Sequence, residues 1–375
     1  MKGWHFLLPT EVTFGPGVFQ QMPLPYEDKV LVVTTAGTLR RGVLLSMIEK
    51  LKGKDVEICH HVSPNPDISE IDSMAEEYQD FSSGAIVAVG GGSAIDTAKA
   101  LARLLANPGI TLADNLRNGV KAKNAPLPLT AVPTTSGTGS EVTPFATIWD
   151  RECGVKRSVD GIDVFPTRAI VDPSLTRTVP RDITISTGMD VISHSLESIW
   201  NIDASPLSVF FATRSLRLAM ESLERAANAG GLGSRAKMSE ASLLAGMAIS
   251  QTRTAMAHSM SYPMTLDLGL NHGVACSLML PGLLVHNAQQ DDGRLARLSA
   301  ELGYKGPQQL AEAIATLQST LGMPMVYQAA CDNPQAVFTL EDRMVSKARA
   351  EKNMRPISSE DVHSILERMD RRLRG

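Results

Sequence analysis

The first half of the chain alternates short runs rich in β-branched residues with segments of helical pattern. The predicted strands are residues 29–34, 56–62, 85–90, 129–133 and 169–172. Several of these runs are apolar on both faces, as strands in a covered parallel sheet must be. Helical patterns at residues 39–52 and 93–105 fit between the strands. This order predicts the strand–helix–strand arrangement of a nucleotide-binding sheet.

After about residue 180, strand-like runs disappear and helical periodicity takes over. The predicted helices are residues 207–227, 239–259, 294–302, 307–321 and 359–372. We therefore predict two domains, an α/β domain of the nucleotide-binding type at residues 1–178 and an all-helical domain at residues 179–375. A cleft between two such domains is the expected place for a ligand.

The composition is that of a globular protein, since 43% of the 375 residues are hydrophobic, 20% are charged and the formal net charge is −4. Without a basic surplus, neither nucleic acid nor an anionic membrane is an expected partner. No apolar stretch approaches the roughly 20 residues that span a bilayer, and the first residues lack a signal-peptide pattern. The four cysteines show no paired spacing, so reduced thiols and a cytoplasmic location are expected.

Two glycine-rich loops follow predicted strands. Gly90-Gly91-Gly92-Ser93 opens a predicted helix, and a helix N-terminus offers unpaired N–H groups to a pyrophosphate that glycines allow to approach. A tight turn without a ligand is the alternative, because GGGS is not the GxGxxG fingerprint. The second loop, at residues 133–141, is rich in glycine and hydroxyl groups, and its alternative is a capped loop before a helix. Two such loops at strand ends favour a bound dinucleotide.

Asp190 and His194 stand four residues apart in an apolar helical segment, so their side chains share one face. A carboxylate and an imidazole in apolar surroundings need a partner, and a mutual hydrogen bond is one alternative. His258, near the end of a second apolar helical run, and His272 offer two more nitrogen ligands. One aspartate with three histidines suits Fe²⁺ or Zn²⁺ and leaves room for a substrate oxygen.

Taken together, these segments resemble the iron-containing (group III) alcohol dehydrogenases. The resemblance covers nearly the whole chain and rests on motifs in a fixed order: Thr13-Phe14-Gly15-Pro16-Gly17, GGGSAIDTAK at residues 90–99, PTTSGTGSE at 133–141, DPSLT at 172–176, GMDVISHSLE at 188–197 and NHG at 271–273. It implies a dehydroquinate synthase-like fold, with a Rossmann-like parallel sheet followed by a helical domain. It also implies NAD(P)(H), one divalent metal (Fe²⁺ or Zn²⁺), a small-molecule alcohol or aldehyde substrate, and a homo-oligomer that is a dimer or larger.

The resemblance also assigns roles to single residues. The implied metal ligands are Asp190, His194, His258 and His272, and the implied pyrophosphate contacts are Gly91, Gly92 and Ser93. Further predicted cofactor contacts are Thr35, Asp96, Thr134, Thr135 and Lys156. Two positions depart from the family. Tyr262 stands where the family often has a second histidine that relays protons, and Thr35 stands where NAD-preferring members often carry an aspartate.

The expected reaction is hydride transfer between the nicotinamide and a carbonyl carbon, with the metal as Lewis acid. Residues 251–263 and 144–150 resemble phosphonoacetaldehyde reductases, a branch of the same family that makes 2-hydroxyethylphosphonate. Arg253, expected in an apolar helix shortly before His258, is the predicted contact for a phosphonate or carboxylate. A surface arginine is the alternative. Lys156 and Arg157 form a second candidate anion site, and Tyr262 is predicted to be catalytic or to line the pocket.

The cofactor and the reaction class each leave alternatives open. Without a carboxylate at Thr35, a 2′-phosphate is not repelled, and Arg40 or Arg41 is expected to attract it unless both are solvated. A general short-chain primary alcohol dehydrogenase would need no anion contact. A dehydroquinate synthase-like cyclase would need a Glu-His-His metal set, which Asp190 with three histidines does not match. A non-catalytic nucleotide-binding sensor would hold a structural metal. Stoichiometric NAD(P)H consumption with an aldehyde would exclude the cyclase and the sensor.

Overall fold

The computed structural model of the chain describes residues 3–21, 27–45, 47, 51–228 and 231–375. The chain forms two compact units, Leu8–Val179 and Pro180–Gly375, and the second unit includes Met1–Leu7. The sequence places these first residues in the dinucleotide-binding domain, whereas the structure groups them with the helices. Gln251 explains the difference, because its side chain accepts from Leu7 N at 3.1 Å and donates to Leu7 O at 2.9 Å.

The α/β unit contains a six-stranded parallel sheet with the strand order β1-β8-β5-β4-β2-β3. The strands are β1 (Glu11–Phe14), β2 (Lys29–Thr34), β3 (Asp55–Cys59), β4 (Ala85–Gly90), β5 (Leu129–Pro133) and β8 (Arg168–Val171), with β6 (Phe145–Asp150) and β7 (Val155–Asp160) outside the sheet. Alternate residues of β4 enter two separate hydrophobic clusters, Ile86 and Ala88 in one and Val87 and Val89 in the other. Both faces of the sheet are therefore covered, as the apolar runs predict.

The helices of this unit whose bounds lie within the described residues are α1 (Val18–Gln21), α2 (Ala36–Arg40), α3 (Ile68–Gln79), α4 (Gly92–Leu105) and α5 (Leu112–Arg117). The sequence predicts a helix at residues 39–52, but α2 ends at Arg40. Gly42 follows with a left-handed φ of 72°, which an α-helix cannot contain. Residues 46 and 48–50 of the predicted helix lie outside the described part of the chain.

Strands β6 and β7 form an antiparallel hairpin that the hydrophobic pattern does not predict. The sequence of β7, VKRSVD, is largely polar, and only one of its six residues is fully buried. An ion pair supports the pairing, since Asp150 of β6 lies 2.6 Å from Arg157 of β7, and Asp150 also lies 2.6 Å from Arg117 of α5. Gly154, with φ at 65°, closes the turn between the two strands.

The helical unit is built around α6, which is buried along most of its length. Its helices are α6 (Arg181–Ile199), α7 (Pro206–Asn228), α8 (Leu232–Thr252), α9 (Met256–Asp267), α10 (His272–Leu278), α11 (Leu280–Ala288), α12 (Arg294–Glu301), α13 (Pro307–Thr320), α14 (Met323–Ala330), α15 (Glu341–Met344), α16 (Lys347–Ala350) and α17 (Ser359–Arg374). Helices α7, α8 and α10 all pack on α6. Among the described helices, none is both long enough and apolar enough to cross a membrane.

The helix predicted at residues 239–259 is broken in two. Arg253, between α8 and α9, has φ 64° and ψ −178°, a conformation that L-residues rarely adopt. Buried polar side chains hold the chain in this turn. Asn201 donates to Thr252 O at 3.2 Å, and Glu197 accepts from His258 N at 3.2 Å in the first turn of α9. Arg253 therefore lies in a turn, and the expectation that it sits in an apolar helix is wrong.

Helix α10 lies directly against α6 because it contains Gly273. A Cβ atom built on Gly273 would lie 1.9 Å from Ser186 O and 3.0 Å from Asp190 Cβ. Only a residue without a side chain permits this distance between the two backbones. The approach places His272, the preceding residue, beside α6.

Gly273→Ala is expected to destabilise the helical unit, because a methyl group cannot enter without moving α10 away from α6. Overpacking typically costs about 1–3 kcal/mol, and the urea midpoint of unfolding measures the change. Gly233→Ala in α8 is the matched control, because a Cβ atom there meets nothing within 4 Å. That control is expected to gain up to about 1 kcal/mol from helix propensity. A Gly273→Ala protein as stable as the wild type would contradict the close contact.

Candidate active site

Helix α6 presents a stripe of three ionisable side chains. Asp190, His194 and Glu197 have the spacing i, i+4, i+7, which puts them on one face of the helix. All three are buried, with only 3%, 5% and 0% of their surfaces exposed. Buried carboxylates are costly unless other groups compensate their charge. The buried carboxylates of this stripe therefore depend on groups from α9 and α10 to compensate their charge.

Helices α9 and α10 bring the other two predicted metal ligands to this stripe. His258 Nε2 lies 3.4 Å from Asp190 Oδ1, and His194 Nε2 lies 3.6 Å from the same oxygen. The rings of His194 and His258 stack at 4.8 Å, and the ring of His272 meets that of His258 edge-on at 5.3 Å. The four side chains predicted as ligands are thus neighbours in one cluster, in which three are buried and His272 is half-buried.

This cluster fits a divalent cation. Asp190 Oδ1 and His258 Nε2 are buried, and neither makes a hydrogen bond of normal geometry within the described chain. Two ligand atoms in a tetrahedral site with 2.0–2.1 Å bonds lie about 3.4 Å apart, as these two atoms do. Burial opposes the charge on Asp190, but the imidazoles of His194, His258 and His272 outweigh it and hold the pKa of Asp190 well below its usual range. An ionised carboxylate among imidazoles is a donor set for Fe²⁺ or Zn²⁺.

Glu197 orients one member of the cluster, a role that the sequence reasoning missed. His258 Nδ1 donates to Glu197 Oε2 at 2.6 Å, which leaves Nε2 as the nitrogen that faces Asp190. Burial opposes ionisation of Glu197, but His258 and the charge of Arg349 lower its pKa. A carboxylate behind a metal-binding histidine fixes the tautomer and raises the basicity of the ring. The signal was present in the sequence as the third position of the Asp190–His194 stripe.

Cys276 also belongs to the cluster. Its donor atom and those of Asp190, His258 and His272 all lie within 4.8 Å of one another. Cys276 follows His272 by four residues in α10 and therefore shares its face. The sequence reasoning interpreted all four cysteines as ordinary thiols, and all four are outside disulfides. The spacing of His272 and Cys276 was the signal that could have separated Cys276 from the other three.

Tyr262 lies next to the cluster and is accompanied by an arginine that the sequence did not single out. The Tyr262 ring is nearly parallel to that of His272, with the ring centres 6.4 Å apart. The guanidinium carbon of Arg349, from α16, lies 5.7 Å from the centre of the Tyr262 ring. Arg349 Nη1 is buried and has no hydrogen-bond acceptor among the described residues. Arg253, the predicted anion contact, is exposed.

In the α/β unit the two predicted loops pack against each other. Gly90 and Pro133 are paired at the ends of β4 and β5. A Cβ atom on Gly91 would lie 3.0 Å from Thr135 Oγ1, and one on Gly92 would lie 2.5 Å from Thr138 Cγ2. The loops thus form one cradle, defined here as residues 90–93 with 134–140, at the N-terminus of α4. Ser93 and Thr134 also belong to this cradle. The contacts of its residues with a cofactor remain predictions.

Asp96 supports the cradle from behind. Its Oδ1 accepts from Ser140 Oγ at 2.5 Å, and its Oδ2 accepts from Thr147 N at 2.9 Å. Both carboxylate oxygens are therefore used within the protein, which indicates a positioning role for this predicted cofactor contact. Lys156 Nζ lies 5.8 Å from the centre of the Trp149 ring. Arg157 forms an ion pair with Asp150 in the hairpin, so its charge is already compensated. Of the two residues of the second candidate anion site, only Lys156 is therefore left to bind an anion.

Thr35 and Arg41 lie at the end of β2, next to the cradle. Thr35 caps α2 by accepting from Thr38 N at 3.1 Å. Arg41 Nη2 donates to Thr38 Oγ1 at 3.2 Å and to Thr134 Oγ1 at 3.1 Å. Burial lowers the pKa of Arg41, whereas Arg40 is exposed. Of the two arginines considered from the sequence, Arg41 is the one that reaches the cradle.

Two family models match the chain. "Iron-containing alcohol dehydrogenase" matches residues 9–173, and "Fe-containing alcohol dehydrogenase family, C-terminal" matches residues 184–369. The chain belongs to the iron-containing alcohol dehydrogenase family. Members of this family are NAD(P)-dependent oxidoreductases that use a divalent metal. Membership confirms the predicted reaction class and the predicted use of NAD(P) and a divalent metal.

Individual relatives agree with the family. A crystal structure of sulfoacetaldehyde reductase from Bifidobacterium kashiwanohense in complex with NAD⁺ is similar over 99% of both chains, with 30% identity and a TM-score of 0.92. It confirms the predicted fold. The NADPH-dependent butanol dehydrogenase of Clostridium saccharobutylicum is 28% identical over 97% of each chain. The aldehyde-alcohol dehydrogenase of Streptococcus pneumoniae is 31% identical over 80% of this chain, which spans only 38% of that longer protein.

Glu197→Gln is expected to weaken metal binding by about 10–100-fold, the usual effect of losing a carboxylate behind a metal-binding histidine. The amide cannot compensate the imidazole as a carboxylate does, so His258 becomes a poorer ligand. Competition with a chelator for Zn²⁺ measures the affinity. Glu240→Gln is the matched control, because Glu240 pairs with Arg214 at 3.3 Å on the exposed surface. Equal affinities in both variants would remove Glu197 from the metal centre.

Proposed function

We propose that the chain reduces a short anionic aldehyde with NAD(P)H, at a metal held by Asp190, His194, His258 and His272. The observation that carries the proposal is the position of Arg349, whose guanidinium lies 5.7 Å from the ring of Tyr262. The same ring is nearly parallel to that of the proposed ligand His272. A cation one aromatic side chain away from a proposed metal ligand suits a substrate whose anionic group lies close to its carbonyl.

When bound, the metal supplies Lewis-acid polarisation of a carbonyl and the nicotinamide supplies the hydride. The residues of the chain prepare the site for this chemistry. Asp190 is held ionised by the neighbouring imidazoles, and Glu197 fixes the orientation of His258. Tyr262 is proposed to line the site between the reacting carbonyl and Arg349, which would take the anionic group of the substrate.

The substrate class has a second source of support. Sulfoacetaldehyde, the substrate in the name of the Bifidobacterium enzyme, is a short aldehyde with an anionic group, and that enzyme has the same fold over nearly its whole length. The segments at residues 251–263 and 144–150 resemble phosphonoacetaldehyde reductases. Phosphonoacetaldehyde, which would give 2-hydroxyethylphosphonate, is therefore the leading candidate, and sulfoacetaldehyde is the comparison substrate.

A second candidate is a general short-chain primary alcohol dehydrogenase. It is favoured by the likeness to butanol dehydrogenase, which extends over 97% of both chains. In that case Arg349 would serve only to compensate the two buried carboxylates, Asp190 and Glu197. The electrostatic effect of Arg349 on the pKa of Glu197 is compatible with this role. The two candidates differ in the substrates for which kcat/KM falls when Arg349 is removed.

Arg349→Ala is expected to lower kcat/KM for phosphonoacetaldehyde by roughly 10–100-fold, because a hydrogen bond to a charged group contributes about 1.5–3 kcal/mol. Turnover of propanal should change less than about threefold. Arg253→Ala is the comparison variant, since Arg253 is the arginine that the sequence predicts as the anion contact and it lies shortly before His258 in the chain. A loss confined to anionic aldehydes in Arg253→Ala alone would assign the anion to Arg253. Equal losses on propanal and phosphonoacetaldehyde in Arg349→Ala would favour the second candidate.

We also propose that Arg41 binds the 2′-phosphate of NADPH, so that NADPH is used at least as well as NADH. Arg41 reaches Thr134 in the cradle, and Thr35 offers no carboxylate to repel a phosphate. Arg41→Ala should lower kcat/KM for NADPH by about tenfold, or 1.4 kcal/mol, with a smaller loss for NADH. Arg40→Ala, which changes an exposed neighbour, should leave both unchanged. A wild-type preference for NADH above about tenfold would refute this assignment.

A further inference from the structure

Glu141, the last residue of the PTTSGTGSE motif, is a buried carboxyl to which the proposed function assigns no role. It lies in the short 3₁₀ turn Ser140–Val142, directly after the cradle, and only 2% of its surface is exposed. Among the described residues, its one hydrogen-bond donor is its own backbone N–H. A carboxylate removed from water needs several donors or a paired cation to remain ionised. The charge state of Glu141 therefore depends on the charges around it.

Lys99 is the cation nearest to hand, but its protons are directed elsewhere. It is 2% exposed and donates to Thr143 O at 2.8 Å, to Thr143 Oγ1 at 3.1 Å and to Phe145 O at 2.8 Å. These three neutral acceptors match the three protons of the ammonium group. Lys99 therefore acts on Glu141 through its charge and not through a hydrogen bond.

The turn that carries Glu141 packs against α4, β5 and β8. The charged residues of these elements are Asp96, Lys99 and Arg103 of α4, Arg168 of β8, and Asp172 directly after β8. Arg103 and Arg168 form ion pairs with Asp163 and Glu11, and Asp96 and Asp172 accept from donors of their own. Burial raises the pKa of Glu141 to about 7, because it outweighs the residue's own N–H and the charge of Lys99.

We infer that Glu141 holds a proton while a dinucleotide occupies the cradle, so that cofactor binding takes up a proton near neutral pH. This coupling rests on the dinucleotide site proposed at the cradle. Asp96 ties Ser140 to α4, so Glu141, the next residue, lies against the loop that is expected to hold the pyrophosphate. The pyrophosphate is negatively charged, and a nearby like charge disfavours an ionised carboxyl. A bound dinucleotide is therefore expected to raise the pKa of Glu141 further.

The direction of this change sets the pH dependence of binding. Below about pH 6 Glu141 is already protonated in the free protein, and binding takes up no proton. Above pH 7 the free protein carries the carboxylate, which gains a proton from solvent as the dinucleotide binds. The only new bond is the O–H bond of the carboxyl. The affinity for NADH is expected to fall by up to about tenfold between about pH 6 and pH 9, if binding raises this pKa by about one.

The test is a calorimetric titration of the full-length, metal-loaded protein with NADH at about pH 7.5, in two buffers of different ionisation enthalpy. NADH is used because NADPH carries a further phosphate that titrates near neutral pH. Wild-type protein should take up about half a proton per cofactor, and ADP-ribose, which has the pyrophosphate without the nicotinamide, should give the same uptake. Glu141→Gln should take up none. Glu152→Gln is the matched control, because Glu152 is exposed and pairs with Arg117 at 2.6 Å, and it should keep the uptake.

The outcomes separate the role of Glu141 from the site on which it rests. NADH binding without proton uptake in wild-type protein, or uptake with NADH but not with ADP-ribose, would overturn the role of Glu141 and leave the cofactor site in place. Uptake that persists in Glu141→Gln and disappears in Asp96→Asn would assign the proton to Asp96 instead. A protein that binds neither ligand would overturn the cradle and the coupling together. Glu141→Leu provides a second variant without an ionisable group if the amide prevents folding.

Discussion

The contact between the backbones of α6 and α10 at Gly273 is the constraint on which the candidate metal centre depends. Asp190 and His194 come from α6, and His272 and Cys276 come from α10. The two pairs meet only because no side chain separates Gly273 from Ser186 O, where a Cβ atom would lie at 1.9 Å. A site assembled from two helices in this way tolerates little displacement of either helix, since a shift of about an ångström disrupts preorganised geometry.

A second consequence of this packing is a concentration of charge in the core. Asp190 and Glu197 are both buried carboxylates, and removing two ions from water is costly unless they are compensated. His258 touches both of them, and Arg349 contributes from α16. A divalent cation at the proposed site would complete the balance of charge. Metal binding there would stabilise the helical unit, because only the folded cluster could bind the ion.

The sequence was sufficient to predict those parts of the structure that depend on residues close together in the chain. The apolar runs of β2, β4 and β5, the glycine turn before α4 and the Asp190–His194 spacing all carry their signal within a few residues. The turn at Arg253 carries no such local signal. Nothing in the sequence between residues 245 and 258 resembles a helix terminus, and the turn depends on contacts with distant side chains. Glu197 and Asn201 impose it from α6 and the segment that follows.

At the site itself, the sequence reasoning also did not single out Arg349 or Cys276. Arg349 lies far from His272 in sequence and meets Tyr262 only in the folded chain. A lone cysteine is normally a small apolar side chain. The four-residue spacing from His272 was the one signal for Cys276 in the sequence, and its distance from three other donor atoms is seen only in the folded chain. Asp96 shows the opposite case. Its place in a phosphate-loop motif suggested ligand contact, whereas its hydrogen bonds to Ser140 and Thr147 indicate support.

That support has a consequence for the proposed cofactor site of the α/β unit. Asp96 ties Ser140 in the second loop to the first turn of α4, and Gly91 and Gly92 pack on Thr135 and Thr138. The protein's own contacts thus hold the two loops together. A dinucleotide bound at this cradle, as proposed, would spend little binding energy on ordering them.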